Sequence, residues 1–189
     1  MLKKITVYCA SSSNVDEGYL VKSFDLGTKL AANNFDIIYG GGNVGLMGRL
    51  ADGALSKGGL VTGVIPDFLM ELELGHTGIK KLITTKDLHE RQRIMMNSAD
   101  AIIALPGGCG TFVELFEAIT WKKLGRITCP IVIININGYY DDLIKMLNKA
   151  IDEGFMRKEH YNLWNVVNDI DSAIIFLLKD YNFIHYDIV

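Results

Sequence analysis

The chain has 189 residues, of which 49% are hydrophobic and 22% are charged, and its formal net charge is −3. This composition excludes an intrinsically disordered or fibrous protein, because such chains lack the apolar residues that a packed core requires. Without an excess of positive charge, neither nucleic acid nor an anionic membrane is expected as a partner, and a small molecule is expected instead.

The first apolar run, residues 5–9, follows two lysines and faintly resembles a signal peptide. It is shorter than the hydrophobic region of a signal peptide and serines follow it, so it is predicted to be a strand. No run approaches 18 consecutive apolar residues, so no membrane-spanning helix is predicted. The cysteines, Cys9, Cys109 and Cys129, are odd in number and lack paired spacing, which indicates a reducing compartment, and we expect a cytoplasmic protein.

Short apolar segments alternate along the chain with segments of helical periodicity. Strands are predicted, in chain order, at residues 5–9, 35–39, 60–65, 101–105 and 131–134. Helices are predicted at residues 15–33, 45–57, 87–98, 111–124, 140–153 and 170–179. Continuous apolar runs of this length are typical of strands that are covered on both faces, as in a parallel sheet.

This alternation predicts an α/β protein with a doubly wound parallel sheet, a Rossmann-like three-layer sandwich. No linker, repeat or block of like charges divides the sequence, so residues 1–189 are expected to form a single nucleotide-binding domain. The long irregular stretch is 66–80, and the sequence leaves open whether it is a mobile lid or a fixed loop. In this architecture ligands bind at the carboxyl ends of the strands, so the site is expected in the strand-to-helix loops.

A first glycine-rich loop follows the second predicted strand. Gly40, Gly42 and Gly45 form the pattern G-x-G-x-x-G, which is shared by dinucleotide-binding proteins and would suit an NAD-dependent oxidoreductase. In those proteins, however, the pattern follows the first strand of the fold. Two other interpretations stay open: amides at the helix start that bind a phosphate, or a tight turn without a ligand.

A second glycine-rich loop, PGGCGTFVE at 106–114, follows the strand predicted at 101–105. Its glycines let a ligand approach the backbone, and the helix start offers unpaired N–H groups. Thr111 and Glu114 also match the T-x-x-E capping box, in which Glu114 would only stabilise the helix. Because Arg91 lies on the preceding predicted helix, an arginine and a glutamate are expected to converge on one phosphate-binding loop.

The segments GGGNVGLMG at 40–48 and PGGCGTFVE at 106–114, with LHER at 88–91 between them, resemble the LOG family, the cytokinin riboside 5′-monophosphate phosphoribohydrolases. The resemblance extends from about residue 5 to residue 155. It implies hydrolysis of the N-glycosidic bond of AMP, plain or substituted at N6, to the free base and ribose 5-phosphate. It also implies a homodimer that uses no cofactor, with a catalytic pair that falls on Arg91 and Glu114.

Other site residues are expected around this pair. The expected substrate-binding residues are Ser11, Ser12, Gly41, Gly42, Gly45, Met47, Gly107, Gly108, Gly110, Thr111 and Glu117. The serines are equally suited to cap the first helix, and Glu117, one helical turn from Glu114, is its rival for the catalytic role. Loop amides would hold the 5′-phosphate, while a carboxylate near C1′ would stabilise the oxocarbenium-like transition state.

Two positions depart from the family pattern, since Leu88 stands in place of a methionine and Gln92 in place of a lysine. The loss of the lysine removes a positive charge near the ligand unless Arg93 supplies it.

The four histidines are scattered, so no metal site is predicted. The alternative function is a non-catalytic carrier of a nucleotide or of the molybdenum cofactor, because such carriers share these loops. Surplus aromatic residues at 112–124 are expected to form the dimer contact.

Overall fold

The computed structural model describes residues 4–70 and 75–186. Within this part of the chain, seven strands form one sheet in the order β4-β3-β2-β1-β5-β6-β7, and all neighbouring strands are parallel. The strands are β1 (Lys4–Tyr8), β2 (Asp36–Tyr39), β3 (Val61–Pro66), β4 (Lys81–Thr85), β5 (Ala101–Ala104), β6 (Ile131–Ile134) and β7 (Asn165–Val167). The predicted doubly wound α/β class is therefore confirmed.

Helices cover both faces of this sheet. They are α1 (Glu17–Ala32), α2 (Gly45–Leu55), α3 (Leu88–Asn97), α4 (Cys109–Lys123), α5 (Asp141–Asp152) and α6 (Ile170–Tyr186), with short 3-10 turns at Asp67–Leu69, Ile136–Gly138 and Lys158–Asn162. One core cluster joins α1, α2 and α6 to one face of the sheet. The other joins α3, α4 and α5 to the opposite face, which completes the three layers.

The strand order reverses at β1 and β5. From β1 the chain extends outward through β2, β3 and β4, then returns to place β5 on the other side of β1. The loop after β1 leads to α1 on one face, and the loop after β5 leads to α4 on the other. The two loops diverge and leave a crevice between them, which is where ligands bind in open α/β sheets.

Two strands and one helix start differ from the sequence-based expectation. Strand β4 follows the irregular stretch 66–80 directly, and β7 is a three-residue edge strand; neither was predicted. Helix α4 begins at Cys109, two residues earlier than predicted, with Gly108 as its N-cap and no side-chain cap. The capping-box interpretation of Thr111 and Glu114 is therefore wrong, since both lie inside the helix.

The start of α1 shows whether the serines after β1 cap this helix. Asp16 is the N-cap, and its carboxylate accepts a hydrogen bond from the N–H of Gly18 at 2.8 Å. The serines after β1 therefore do not cap this helix, and Ser12 Oγ accepts instead from the N–H of Asn14. The Asp16 cap leaves residues 10–15 as a loop above the carboxyl end of β1.

No helix within residues 4–70 and 75–186 combines the length and the apolar character needed to cross a bilayer. Residues 71–74, the middle of the stretch whose mobility the sequence left open, lie outside the described residues.

Candidate functional site

A cavity of about 260 Å³ lies at the crevice between the loops that follow β1 and β5. It is lined by Cys9, Ala10, Ser11, Ser12, Met47, Arg91, Gly108, Cys109, Gly110, Thr111 and Glu114. The loops that follow β1 and β5, the first turn of α2, one residue of α3 and the amino-terminal part of α4 thus meet in one place. This is the position that the fold favours for a ligand.

Two charged side chains form one wall of the cavity. Arg91 Nη2 lies 3.3 Å from Glu114 Oε1, and the two side chains are only 10% and 8% exposed. The Nε of Arg91 is buried and has no hydrogen-bond partner among the described residues. Buried donors are nearly always satisfied in proteins, so this unpaired N–H in the cavity wall is an unusual feature of the site.

Arg91 reaches the cavity because α3 begins at a well-defined residue. Asp87 is the N-cap of α3, and its carboxylate accepts from the N–H of Glu90, whose own carboxylate accepts from the N–H of Lys86. This reciprocal cap fixes the first turn of the helix, from which Arg91 projects. A Cβ on Gly40 would collide with Arg91 Nη2 and lie 2.6 Å from Met47 Sδ, so only glycine leaves room for the guanidinium.

Helix α4 presents its amino-terminal end to the cavity. Its first intrahelical bond runs from the N–H of Phe112 to the carbonyl of Gly108, so the N–H groups of residues 109–111 have no partner within the helix. No side chain caps this end. The partial positive charge of the helix dipole acts at the same point, so the cavity floor attracts an anion.

The first glycine loop has a different role in the structure. The N–H of Met47, in the first turn of α2, donates to the carbonyl of Ala10 at 3.2 Å and so is used within the protein. Gly45 has a φ of +61°, and a Cβ there would strike the carbonyls of Ser11 and Ser12. This loop therefore packs against the loop after β1. Of the residues at the start of α2, Met47 lines the cavity.

Gly41 and Gly42 face the other side of that loop. The carbonyl of Gly41 accepts from the N–H of His76 at 3.0 Å, and Gly42 pairs with Gly75 in an isolated antiparallel bridge. A Cβ at Gly41 would lie 3.1 Å from the side chain of Ile65. Both glycines thus anchor the segment between β3 and β4, and neither lines the cavity.

Tyr8, the last residue of β1, is close enough to α4 for the charges of two of its carboxylates to affect the pKa of the phenol. Its side chain is buried and its hydroxyl has no hydrogen-bond partner among the described residues. Burial raises the pKa of the Tyr8 phenol well above its ordinary value, and the negative charges of Glu114 and Glu117 raise it further. The phenol therefore stays protonated at neutral pH and does not act as a base.

Eight of the predicted site residues line one cavity in the structure: Arg91, Glu114, Ser11, Ser12, Met47, Gly108, Gly110 and Thr111. The other five, Gly41, Gly42, Gly45, Gly107 and Glu117, do not line it. Gly107 instead lines an adjoining cavity of about 140 Å³, and Glu117 is half-buried on α4. Arg93, which was considered as a replacement for the missing lysine charge, is exposed and does not line the cavity.

Gly40, the first glycine of the recognised motif, was not predicted to accommodate Arg91. Cys9 and Ala10 were not predicted as parts of the cavity lining. The available signal was their position, since Cys9 ends a predicted strand and Ala10 follows it, and the residues at the carboxyl ends of parallel strands meet at one edge.

A larger cavity, about 470 Å³, lies at the opposite edge of the sheet, where β1 to β4 begin. Lys4, Lys80 and Lys81 line it together with Asp36 and apolar side chains, and none of the predicted site residues does. Larger size alone does not make it the functional site, because the carboxyl-terminal crevice has the convergent polar groups. Within residues 4–70 and 75–186, no three side chains of the metal-binding types lie together.

Comparison with known proteins gives sequence relatives over most of the chain. A family model described as "Possible lysine decarboxylase" matches residues 47–177. The chain is 43% identical over 154 residues to cytokinin riboside 5′-monophosphate phosphoribohydrolase LOG2 of Arabidopsis thaliana, covering 82% of this chain and 72% of the relative. It is 36% identical over 187 residues to the probable phosphoribohydrolase LOGL2 of Oryza sativa subsp. japonica, covering 99% of this chain and 76% of the relative.

Solved structures with the same fold include two proteins that carry or bind the molybdenum cofactor. The molybdenum cofactor carrier protein from Chlamydomonas reinhardtii matches with a TM-score of 0.71 and 23% identity, over 95% of this chain and 98% of that one. The molybdenum cofactor binding protein from Rippkaea orientalis matches with a TM-score of 0.72 and 24% identity, over 96% and 98% of the two chains. At this level of identity the likeness concerns the fold alone.

Proposed function

This chain belongs to the LOG family of cytokinin riboside 5′-monophosphate phosphoribohydrolases, and from that membership we propose that it hydrolyses the N-glycosidic bond of adenosine 5′-monophosphate, plain or N6-substituted. The products are the free base and ribose 5-phosphate. The observation that carries the proposal is the buried pair of Arg91 and Glu114, 3.3 Å apart, in the same cavity as the open amino-terminal end of α4.

The amino-terminal end of α4 binds the 5′-phosphate in this proposal. The N–H groups of residues 109–111 are unused within the helix, and Gly108 and Gly110 line the cavity without a side chain that would exclude a ligand. A Cβ at either glycine would meet no atom within 4 Å, so the space beside the backbone is open. Fixing the phosphate fixes the ribose, which lowers the entropy cost of reaching the transition state.

Glu114 lies further along the same helix, on the cavity side. As the C1′–N9 bond breaks, its electrons leave with the purine and positive charge develops on C1′ and the ring oxygen. A carboxylate beside C1′ stabilises this charge more strongly in the transition state than in the ground state. Water then adds its oxygen to C1′, and the proton that it loses balances the one gained by the departing base.

Arg91 positions this carboxylate and contributes a donor to the substrate. Its Nη2 is engaged with Glu114, while its buried Nε has no partner in the described structure. The part of the guanidinium that lines the cavity would donate to a ribose hydroxyl or phosphate oxygen, and its planar set of donors allows this contact and the one to Glu114 at once. The five predicted residues outside the cavity lining serve in this proposal as support for the loops.

A single assay on the unmodified protein tests the activity. We expect incubation with AMP to release adenine, and incubation with N6-isopentenyl-AMP to release isopentenyladenine, each with equimolar ribose 5-phosphate, as measured by chromatography. The ratio of the two kcat/KM values identifies the preferred base. If neither nucleotide yields a free base, the hydrolase proposal fails.

The carrier alternative predicts a different result in a companion measurement. A non-catalytic carrier would show a higher Tm with a molybdopterin-containing extract and would release no base from either nucleotide, since a ligand of the native state raises Tm by mass action. Sequence identity favours the hydrolase, because the phosphoribohydrolase relatives reach 43% while the carrier structures stay at 24% or below.

We also propose that the protein is a homodimer, and the surface of α4 supports this. The buried side of the helix carries Leu115, Ala118 and Ile119, whereas Val113 and Phe116 on the opposite side and Leu124 at the C-cap are 57%, 41% and 64% exposed. Val113 and Phe116 are about one helical turn apart and Leu124 follows at the end of the same side, so they form a second apolar stripe, which the exposed Thr120 interrupts. A second copy of the chain that packs against this stripe would remove it from water.

Phe116→Glu is expected to convert the dimer to a monomer, because a carboxylate in an apolar interface loses its hydration without gaining a partner. The dimer dissociation constant should rise by about 100-fold, the effect of losing one important interface residue. Light scattering coupled to size-exclusion chromatography measures the mass. Phe155→Glu is the matched control, since Phe155 is 79% exposed and far along the chain from α4. A monomeric mass for the unmodified protein, or an unchanged mass for Phe116→Glu, contradicts the proposal.

Three further proposals concern the domain organisation, the location and the cofactor requirement. We propose that residues 1–189 act as one domain, that the protein works in the cytoplasm, and that the reaction needs no cofactor. The first is supported by the single sheet of the described residues, and the second by the three cysteines, all of which are free thiols. The third follows from the chemistry, since hydrolysis of this bond requires only water, an anion-binding site and a carboxylate.

A further inference from the structure

Three successive carbonyls in the loop after β5 accept hydrogen bonds from outside that loop. The carbonyl of Leu105 accepts from the hydroxyl of Tyr140 at 2.6 Å, and that of Pro106 accepts from the N–H of Ala10 at 3.2 Å. The carbonyl of Gly107 accepts from the hydroxyl of Tyr139, also at 2.6 Å. The loop that leads into α4 is therefore held at every residue from 105 to 107.

The two tyrosines reach the loop because of a sharp turn after β6. Asn137 has a φ of +54°, and the side chain of Asn135 accepts from the N–H of Tyr140 and donates to Asp141, each at 2.7 Å. This turn presents consecutive residues, Tyr139 and Tyr140, to the same loop. Tyr140 is fully buried in the core, whereas Tyr139 is 42% exposed and its ring lines the adjoining 140 Å³ cavity.

The hydrogen bond from Tyr139 determines where the next amide points. A trans peptide is planar, with its carbonyl and its N–H on opposite sides. Because the carbonyl of Gly107 is directed to Tyr139, the N–H of Gly108 must point to the other side of the loop. Gly107 lines only the adjoining cavity, whereas Gly108 also lines the cavity that holds Arg91 and Glu114.

We propose that Tyr139 is a positioning residue that aims the Gly108 N–H at the 5′-phosphate and so contributes to the selectivity for nucleotides over nucleosides. The inference rests on the proposed function, since it deepens the account of the same site. Tyr139 does not touch the reacting atoms in this account. It acts through one peptide plane, and its removal therefore affects phosphate binding more than the chemical step.

Tyr139→Phe tests this, because it removes the hydroxyl and keeps the ring that lines the adjoining cavity. We expect the Kd for AMP and for ribose 5-phosphate, measured by calorimetry, to rise about 10-fold, the equivalent of one charge-assisted hydrogen bond. The KM for AMP should rise by the same factor while kcat changes less than about 2-fold. The Kd for adenosine, which has no phosphate, should not change.

Tyr161→Phe is the matched control. Tyr161 is equally exposed, and its hydroxyl donates to Asp152 at 2.8 Å and not to a carbonyl of the loop after β5. It should leave the Kd values for AMP and adenosine unchanged. Equal Tm values for the two variants would show that Tyr139→Phe has kept the fold.

The outcomes separate this inference from the proposed function. If the Kd of Tyr139→Phe for AMP equals that of the unmodified protein, or if its Kd for adenosine rises as much as that for AMP, Tyr139 is not a phosphate-positioning residue. A loss in kcat without a change in KM overturns the inference as well. Because calorimetry requires no turnover, weaker AMP binding by Tyr139→Phe in a protein that releases no base would overturn the proposed function alone.

Discussion

Glu114→Gln is expected to reduce kcat for AMP hydrolysis by about 10³-fold while leaving the Kd for AMP within a few-fold of its original value. The amide has the size and shape of the carboxylate, so the cavity stays intact. It lacks the negative charge that would stabilise the developing oxocarbenium ion, and this loss amounts to about 4 kcal/mol of transition-state stabilisation. Single-turnover kinetics and calorimetry on the same preparation measure the two quantities.

Glu159→Gln provides the control for a carboxylate lost elsewhere, since Glu159 is exposed on a 3-10 turn away from the cavity. Its kcat should equal that of the unmodified protein. Glu117→Gln addresses the rival residue on the same helix. If Glu117→Gln abolishes turnover and Glu114→Gln does not, the catalytic carboxylate has been wrongly assigned.

Arg91→Lys is expected to lower kcat/KM for AMP by about 10²-fold, because lysine keeps the positive charge but cannot contact Glu114 and the substrate at once. Arg91→Leu should have a larger effect, including a loss of about 3 kcal/mol in the free energy of unfolding, since it removes the cation beside the buried carboxylate of Glu114. Steady-state kinetics and urea unfolding separate the two contributions. Full activity in Arg91→Lys would show that only the charge matters.

Gly40→Ala tests the position of the guanidinium without changing its chemistry. The added methyl group would occupy the space of Arg91 Nη2 and Met47 Sδ, the ends of two flexible side chains, so the backbone has no reason to move. We expect kcat/KM to decrease, as for Arg91→Lys, while the Tm stays close to that of the unmodified protein. Unchanged kinetics would mean that the arginine tolerates displacement.

The sequence predicted the strands that are buried on both faces, because short continuous apolar runs are typical of such strands. It missed β4 and β7 for physical reasons. Residues 81–85 are an edge strand with an exposed lysine and threonine, so their pattern is not that of a buried run. Residues 165–167 are too few to show any periodicity. The sheet supplies the partners that make these segments strands.

The candidate site was predictable in its chemistry but only partly in its geometry. Arg91 and Glu114 were expected to converge because the helix that carries one leads into the strand that delivers the other. Glycines of both loops were expected to bind substrate, since a motif does not reveal which side of a loop faces a ligand. In the structure the loop at 40–45 supports its neighbours and the loop at 106–111 presents free amides. Tyr139, far along the chain, carried no signal in the sequence.

The rigid geometry of α4 has one more consequence for the substrates that the site accepts. The open amides are in its first turn and Glu114 is on the next, so the helical rise of about 1.5 Å per residue separates Gly110 from Glu114 by about 6 Å along the axis. In the proposed mechanism, α4 therefore sets the distance between the bound phosphate and the carboxylate beside C1′. A phosphate carried on O2′ or O3′ would hold the sugar out of register with the carboxylate, whatever base is attached.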